Sequence, residues 1–417
     1  MTSEAAVYVW IWLPGCPDPV VCGRFTRHSL GSGAHTGTFV YGQSYLTRPQ
    51  ALAIDPIVLP LNEQPVTTTH LNGWFSVLQD SGPDDWGRRL IDRLHGPQDD
   101  LGYLLLSRGQ SVGALGFSTD PDTPPAGHGQ VPGTSSLKRL IDIHRIIEAG
   151  GDVDDDDREL LVQGTSAGGA RPKTTIEAAG SLWLAKFPSA RDNADLPPVP
   201  IMEATLLSLA QECGIRVPAH RLVRVGKAPV LLVERFDRDQ LPGGGHGRRR
   251  YASAKTLLWS QPEVQMYSFM GSYTNLANRM RVWERTPSAH IRELYQRIAF
   301  NCLVGNTDDH DRNTGFVANE DGFFELSPAF DLTARPATRR MMLAMAFGAE
   351  GAAVTLDNLL SESNRFGVTA DEAQHLVHAQ WQTIKASLVD LLRANGCAAR
   401  TAKSALASMP GQVFFSS

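Results

Sequence analysis

No stretch of this 417-residue chain is apolar for long enough to cross a bilayer. The most apolar short run, Val7 to Leu13, falls far below the roughly 20 residues a spanning helix needs. Near Met1 there is no basic stretch followed by an apolar segment and a small-residue cleavage site, so no signal peptide is expected. Cysteine is scarce: five residues, odd in number and scattered. Cys16 and Cys22 could pair, but no cysteine has metal-ligand spacing, and reduced thiols in a cytoplasmic protein fit the count. A basic surplus is also absent. The 39 Lys and Arg stand against 44 Asp and Glu, a net charge of −5, which excludes a protein that holds nucleic acid by bulk charge alone. Internal repeats are missing, and the small-residue loop at 163–173 has neither the dinucleotide-binding nor the Walker glycine spacing.

What is there reads as globular: 42% hydrophobic and 20% charged residues. The length predicts two or three domains. The 38 glycines and 26 prolines predict many turns. Val7–Leu13, Val20–Arg24 and Thr38–Tyr41 read as short strands. Asp84 or Asp85 could cap a helix that turns Trp86, Leu90, Ile91 and Leu94 inward. Residues 121–133 read as a loop, and the acidic run at 154–157 as a solvated loop or a helix N-terminus. That run lacks the register of a calcium loop. Thr174–Ala178 with Leu182–Phe187, and Arg221–Val225 with Val230–Phe236, read as hairpins. A helix over Glu203–Cys213 ends at Gly214. The loop 239–250, with Arg248, Arg249 and Arg250, is expected to be exposed. From about Ser260 the pattern turns helical. Ser288 is a plausible cap for a helix burying Ile291, Leu294, Ile298 and Cys302. A last long helix runs near 370–395.

The most informative stretch is RIAFNCLVGNTDDHDRNTGF, Arg297 to Phe316. An apolar helix ends at Gly305, and Asn306, Asp308, Asp309, His310, Asp311, Arg312 and Asn313 come next. Asn, Asp and Gly favour solvated turns, but such a turn seldom needs a His among three carboxylates. Asp308 and Asn313 are five apart, the Asp-to-Asn interval of the catalytic loop in protein kinases. There the Asp takes the substrate hydroxyl proton and the Asn helps bind Mg²⁺. Asp331, following Phe330, stands where a second oxygen ligand is needed. Lys186, in an apolar strand, is either a phosphate clamp or a Lys snorkelling at a strand end. Glu203 either pairs with Lys186 or serves the helix dipole. Residues 163–173 form a small-residue loop whose backbone N–H groups could approach phosphates.

Taken in order, SAGGARPKT, WLAKFP, EATLLSLAQECGI, LLVERFDR, FNCLVGNTDDHDRN and LSPAFDL resemble the HipA family of Ser/Thr kinase toxins. FVYGQSYL and SGPDDWGRRL resemble that family's N-terminal subdomain. The resemblance implies an α+β, two-lobed protein-kinase-like fold. It has an extra β-rich N-terminal subdomain (1–125), a linker region (126–160), an ATP-holding β-rich lobe (161–258) and an all-helical C-terminal lobe with the catalytic loop (259–417).

It further implies that Asp308 is the catalytic Asp, with His310 beside it, and that Asn313 and Asp331 hold Mg²⁺. ATP would be met by Gly168, Gly169, Ala170, Arg171, Pro172 and Lys173 of the phosphate loop, and by Lys186. Glu234, Arg235 and Phe236 would form a hinge touching adenine largely through backbone groups. His310, Asp311, Arg312, Asn313, Phe330 and Asp331 would complete the site. Ser166 matches a loop Ser that family members autophosphorylate, which ejects the loop. Arg312 replaces the usual catalytic-loop Lys, and Arg171 the usual loop Gln. Neither change removes a residue the chemistry requires.

The implied partners are a small helix-turn-helix antitoxin (HipB-like) and a protein substrate, with aminoacyl-tRNA synthetases among the family's targets. DNA would be met only through the antitoxin, and no membrane is involved. The competing readings are a catalytically silent antitoxin-binding corepressor and a small-molecule kinase.

Overall fold

A computed structural model of the chain describes residues 4–31, 33–107, 110–125, 131–164, 171–193, 195–259, 271–319 and 321–415. In the first strand, β1 (Glu4–Trp12), the alternating Val7, Val9 and Ile11 enter an apolar core with Phe25, Phe39, Tyr41 and Trp74. β1 pairs with β2 (Pro19–Gly31), β2 with β3 (Ala34–Tyr41), and β3 with β4 (Val66–Thr68), while β5 (Leu115–Ser118) closes the other edge of β1. All four pairings are antiparallel. Gly37 has no substitute here, because a Cβ would stand 2.1 Å from the Gly73 carbonyl oxygen.

The chain packs as two compact units. The first contains residues 1–185, 235–252 and 317–322; the second contains 186–234, 253–316 and 323–417. The expected division at 125, 160 and 258 is linear in sequence, and the compact units are not.

In the first unit, Asp84 caps the helix Asp85–His95 by accepting from the Gly87 N–H at 2.7 Å, and Trp86, Leu90 and Ile91 are buried as the spacing predicts. The segment expected as a linker holds two helices, Leu137–Glu148 and Asp155–Gly164. The acidic run serves the second of them. Asp154 accepts from the Asp157 N–H at 2.8 Å, and Asp155, Asp156 and Asp157 occupy the first turn, where the helix dipole favours negative charge. Strands Lys173–Ala178 and Ser181–Lys186 turn at Ala179 and Gly180, both with positive φ, as a two-residue hairpin turn with both central residues left-handed requires.

The loop expected to be exposed at 239–250 is instead a hairpin, Arg238–Gln240 against His246–Arg248. Arg248 and Arg250 are buried. The Arg248 guanidinium lies 3.5 Å from the centroid of the Trp12 ring, and Arg250 donates to the Ala53 and Gly322 carbonyls. Sequence reasoning puts arginine in water; here carbonyls and an aromatic face replace the water. Arg235 and Arg238 are buried too, and both bond Asp237. They also donate to the Ser111 carbonyl, and Arg238 donates to that of Gly113. Burial would raise the Asp237 pKa, but the two guanidiniums outweigh it and hold the carboxyl well below its usual range.

The second unit is mainly helical. It includes helices Val199–Glu212, Tyr273–Trp283, Pro287–Val304 and Ala370–Ala394, and the hairpin His220–Val225 with Ala228–Glu234. Thr286, not Ser288, takes the cap position of the helix over 287–304. Pro287 occupies the first helical position, where a fixed φ and a missing N–H cost nothing. Ile291, Leu294, Ile298 and Cys302 are buried as expected. All five cysteines are free thiols, Cys16 and Cys22 included. Among the described residues no helix is long and apolar enough to cross a membrane.

Asp237 is the carboxylate between two buried guanidiniums, so Asp237→Ala leaves both uncompensated. Urea unfolding should show a loss of about 3–5 kcal/mol. A loss below about 1 kcal/mol would mean that the cluster does not hold this unit together.

Candidate active site

Four of the expected site residues, Ser166, Gly168, Gly169 and Ala170, lie outside the described residues. The second unit holds Lys186, Glu234, the loop residues from Asp308 to Asn313, Phe330 and Asp331. Lys186 ends its strand, and its Nζ donates to Glu203 Oε1 at 2.5 Å and to Asp331 Oδ1 at 2.8 Å. Glu203 is buried in the second turn of the helix Val199–Glu212, past the first turn where it could serve the dipole. Its sequence alternatives therefore resolve to the pair with Lys186, and Lys186 is not snorkelling: its side chain is only 15% exposed. Burial acts to lower the Lys186 pKa, but the Asp331 and Glu203 carboxylates outweigh it and keep the ammonium charged. Asp331 adopts φ +57°, a left-handed conformation uncommon outside glycine. Such strain persists only where the surroundings fix it.

The loop with Asp308 starts where the helix Pro287–Val304 stops. Gly305, at φ +74°, ends the helix, and the Asn306 N–H returns to the Asn301 carbonyl at 2.9 Å. A side chain at 305 would put its Cβ 2.5 Å from the Arg335 carbonyl oxygen. Asn313 turns back to the start of the loop: its Nδ2 donates to the Asp308 carbonyl at 2.6 Å, and its N–H to the His310 carbonyl at 2.8 Å. The Asp311 carbonyl accepts from the Lys255 N–H at 2.9 Å. Asp308, Asp311 and Asn313 are half-buried, while His310 and Arg312 are exposed. Phe330 is half-buried next to Asp331.

Sequence reasoning places Asp309 in the cluster without giving it a role. The structure gives it one. Asp309 is buried, and its two oxygens accept from the Tyr273 hydroxyl at 2.7 Å and the Ala344 N–H at 2.7 Å. Burial pushes its carboxyl up to about 6, against the pull of these donors. The only sequence signal for this role is an Asp pair, since the Tyr and Ala partners lie far along the chain.

The remaining expected contacts fall in the first unit, apart from Glu234. Arg171 is exposed, and Pro172 is buried. Lys173 is buried, with its Nζ 2.9 Å from Asp84, so its ammonium is committed to a carboxylate. The Arg235 side chain is committed to Asp237 and to backbone carbonyls. Of the amides expected at a hinge, the Glu234 N–H donates to the Ala219 carbonyl and the Arg235 N–H to that of Leu182. Phe236 is half-buried and tilts against the Tyr251 ring.

Asn313 and Asp331 are the residues expected to hold a cation. Both offer hard oxygen donors, and the Asn313 amide nitrogen is already committed to Asp308, which leaves its oxygen for a cation. Among the described residues no group of three or more His, Cys, Asp and Glu side chains is arranged to hold a metal alone.

The sequence model of a family described as "HipA-like C-terminal domain" matches residues 165–388, more than half of the chain. This chain belongs to the HipA-like family. The serine/threonine-protein kinase toxin HipA of Shewanella oneidensis is 30% identical over 144 residues, 32% of this chain and 33% of that protein. A putative kinase of Sinorhizobium fredii, Y4dM, is 27% identical over 168 residues, 37% of this chain and 38% of that protein. The matched regions thus span little more than a third of these curated relatives. At the level of fold the likeness is wider. A solved Shewanella oneidensis complex of HipA, HipB and operator DNA contains a chain that matches with a TM-score of 0.66 and 16% identity, covering 97% of each chain. HipA-like architecture is therefore the fold of this chain, and the expected α+β class holds; the stretch 259–417 is not all-helical, however, since it carries the strands Gly315–Ala318 and Phe324–Leu326.

The Asp309 geometry has a pH signature. Its folded pKa is raised, so its contribution to stability is complete below about 4 and is lost as pH climbs through about 6. Asp309→Asn keeps the shape and removes the titration. Urea unfolding should show the variant gaining up to about 3 kcal/mol on wild type between pH 4 and pH 7. A difference that does not change with pH would contradict this assignment.

Proposed function

We propose that this chain is an ATP- and Mg²⁺-dependent protein serine/threonine kinase, the toxin component of a type II toxin–antitoxin system. The observation that carries this reading is the pair of bonds from Lys186 to Glu203 and Asp331. A strand Lys held by a helix Glu, within reach of the Asp that follows an aromatic residue, is the arrangement phosphoryl-transfer kinases require. Family membership over residues 165–388 supports it.

In this reading Asp308 orients the attacking hydroxyl and accepts its proton, with exposed His310 and Arg312 beside it. Lys186 contacts the ATP phosphates and exchanges part of its bond to Asp331 for them. Asn313 and Asp331 would hold Mg²⁺, which supplies neutralisation of phosphate charge when bound. The phosphate-covering loop would be 168–173, with adenine against residues 234–236. Lys173 would contribute backbone groups there, since its ammonium is paired with Asp84. Ser166 would be the autophosphorylation site. A phosphate of about −1.5 to −2 charge there would repel ATP and switch the enzyme off. The likeness to a chain solved with HipB and operator DNA supports a small DNA-binding antitoxin as partner. The protein substrate, an aminoacyl-tRNA synthetase by family analogy, and a cytoplasmic location belong to the same proposal.

Two variants test the roles. Asp308→Asn should lose at least ~10²-fold in transfer of labelled γ-phosphate to protein while ATP affinity stays within about threefold. Lys186→Met should lose transfer and weaken ATP binding as well. Wild-type transfer by Asp308→Asn would overturn the assignment. A wild-type protein that binds a helix-turn-helix partner but never transfers phosphate would favour the silent corepressor. Phosphorylation of a metabolite with no phosphoprotein would favour a small-molecule kinase.

A further inference from the structure

The loop carrying Asp308 and the segment carrying Asp331 are joined by one buried side chain. Asn306 Oδ1 accepts from the Thr333 hydroxyl at 2.9 Å and lies 3.4 Å from the Asp308 amide nitrogen, which donates toward it. Its Nδ2 donates to Asn301 Oδ1 at 3.1 Å. Asn306 is 3% exposed and Asn301 6%, so neither amide can exchange these partners for water. One carboxamide oxygen thus meets the backbone of Asp308 on one side and, on the other, the side chain two residues beyond Asp331.

We infer that Asn306 is a positioning residue that sets Asp308 and Asp331 in register with each other. The inference rests on the kinase reading above and deepens it. Three features support it. The helix stop does not need this side chain, because Gly305 and the Asn306 backbone N–H already close the helix end. An apolar pair of the same shape could fill a buried site at similar stability, so a satisfied polar network marks a demand for specific geometry. And Thr333 stands two residues beyond Asp331, whose left-handed backbone must be held by its neighbours in the chain. Phosphoryl transfer depends on the placement of the attacking hydroxyl against the bound phosphates, and a shift of about 1 Å can cost ~10²-fold.

The test pairs Asn306→Ala with Thr333→Val, which deletes one hydroxyl at nearly constant shape. Transfer of labelled γ-phosphate from ATP gives kcat, a fluorescent ATP analogue gives affinity, and hydrogen exchange reports the backbone. Asn306→Ala should lower kcat ~10–100-fold with affinity changed less than about threefold. Thr333→Val should lower kcat by a smaller factor, and the double variant should fall no further than Asn306→Ala alone. Thr333→Val should also speed amide exchange in residues 306–313, a segment it does not alter. Should Asn306→Ala fail to fold, Thr333→Val still decides the matter by its kcat and exchange. Wild-type kcat and exchange in Thr333→Val would overturn the inference, as would a loss of affinity matching the loss of rate. If the wild type itself transfers no phosphate, the kinase reading falls, and unchanged exchange in Thr333→Val would show separately that the register is not set through Asn306.

Discussion

The ammonium of Lys186, held between the carboxylates of Glu203 and Asp331, is the interaction on which the candidate site depends. It fixes the end of a strand, the second turn of a helix and a backbone-strained Asp to one point. Buried charge of this kind is costly unless each partner is satisfied, and here one cation faces two anions. In the proposed reading the Lys186 ammonium is the group that meets the ATP phosphates.

Local contacts position the loop that carries Asp308. Gly305 stops the helix, Asn313 folds the loop back on Asp308, and Asp309 anchors the loop to Tyr273 and the Ala344 amide. Each contact uses a group that the proposed chemistry does not consume. The residues proposed to meet the substrate, Asp308, His310 and Arg312, remain half-buried or exposed. Anchors inward and chemistry outward is the division a transfer site needs.

Much of this is legible in the sequence, for definable reasons. Local signals carry the helix stop at Gly305, the cap at Asp84 and the hairpin turn at Ala179-Gly180. The Asp308–Asn313 interval and the family motifs carry the candidate site. Features set by distant partners are the ones that sequence reasoning misses. The guanidiniums of Arg248 and Arg250 look like surface groups until Trp12, Ala53 and Gly322 are seen beside them. The pairing of the Lys173 ammonium with Asp84 is likewise set by a residue far along the chain. The stretch 126–160 looks like a linker because its flanks are rich in Gly, Pro and Asp, while two helices lie within 131–164. Ser288 looks like a cap, but Pro287 already starts the helix.

The proposed roles of these groups rest on one proposed chemistry, transfer of a phosphoryl group from ATP to a protein hydroxyl. Its most direct measurement is phosphopeptide mapping of the purified chain, alone and with cell extract, after incubation with γ-labelled ATP and Mg²⁺. The predicted result is Mg²⁺-dependent label on Ser166 and on at least one extract protein. Label on neither, with ATP bound to the chain, would contradict the kinase assignment.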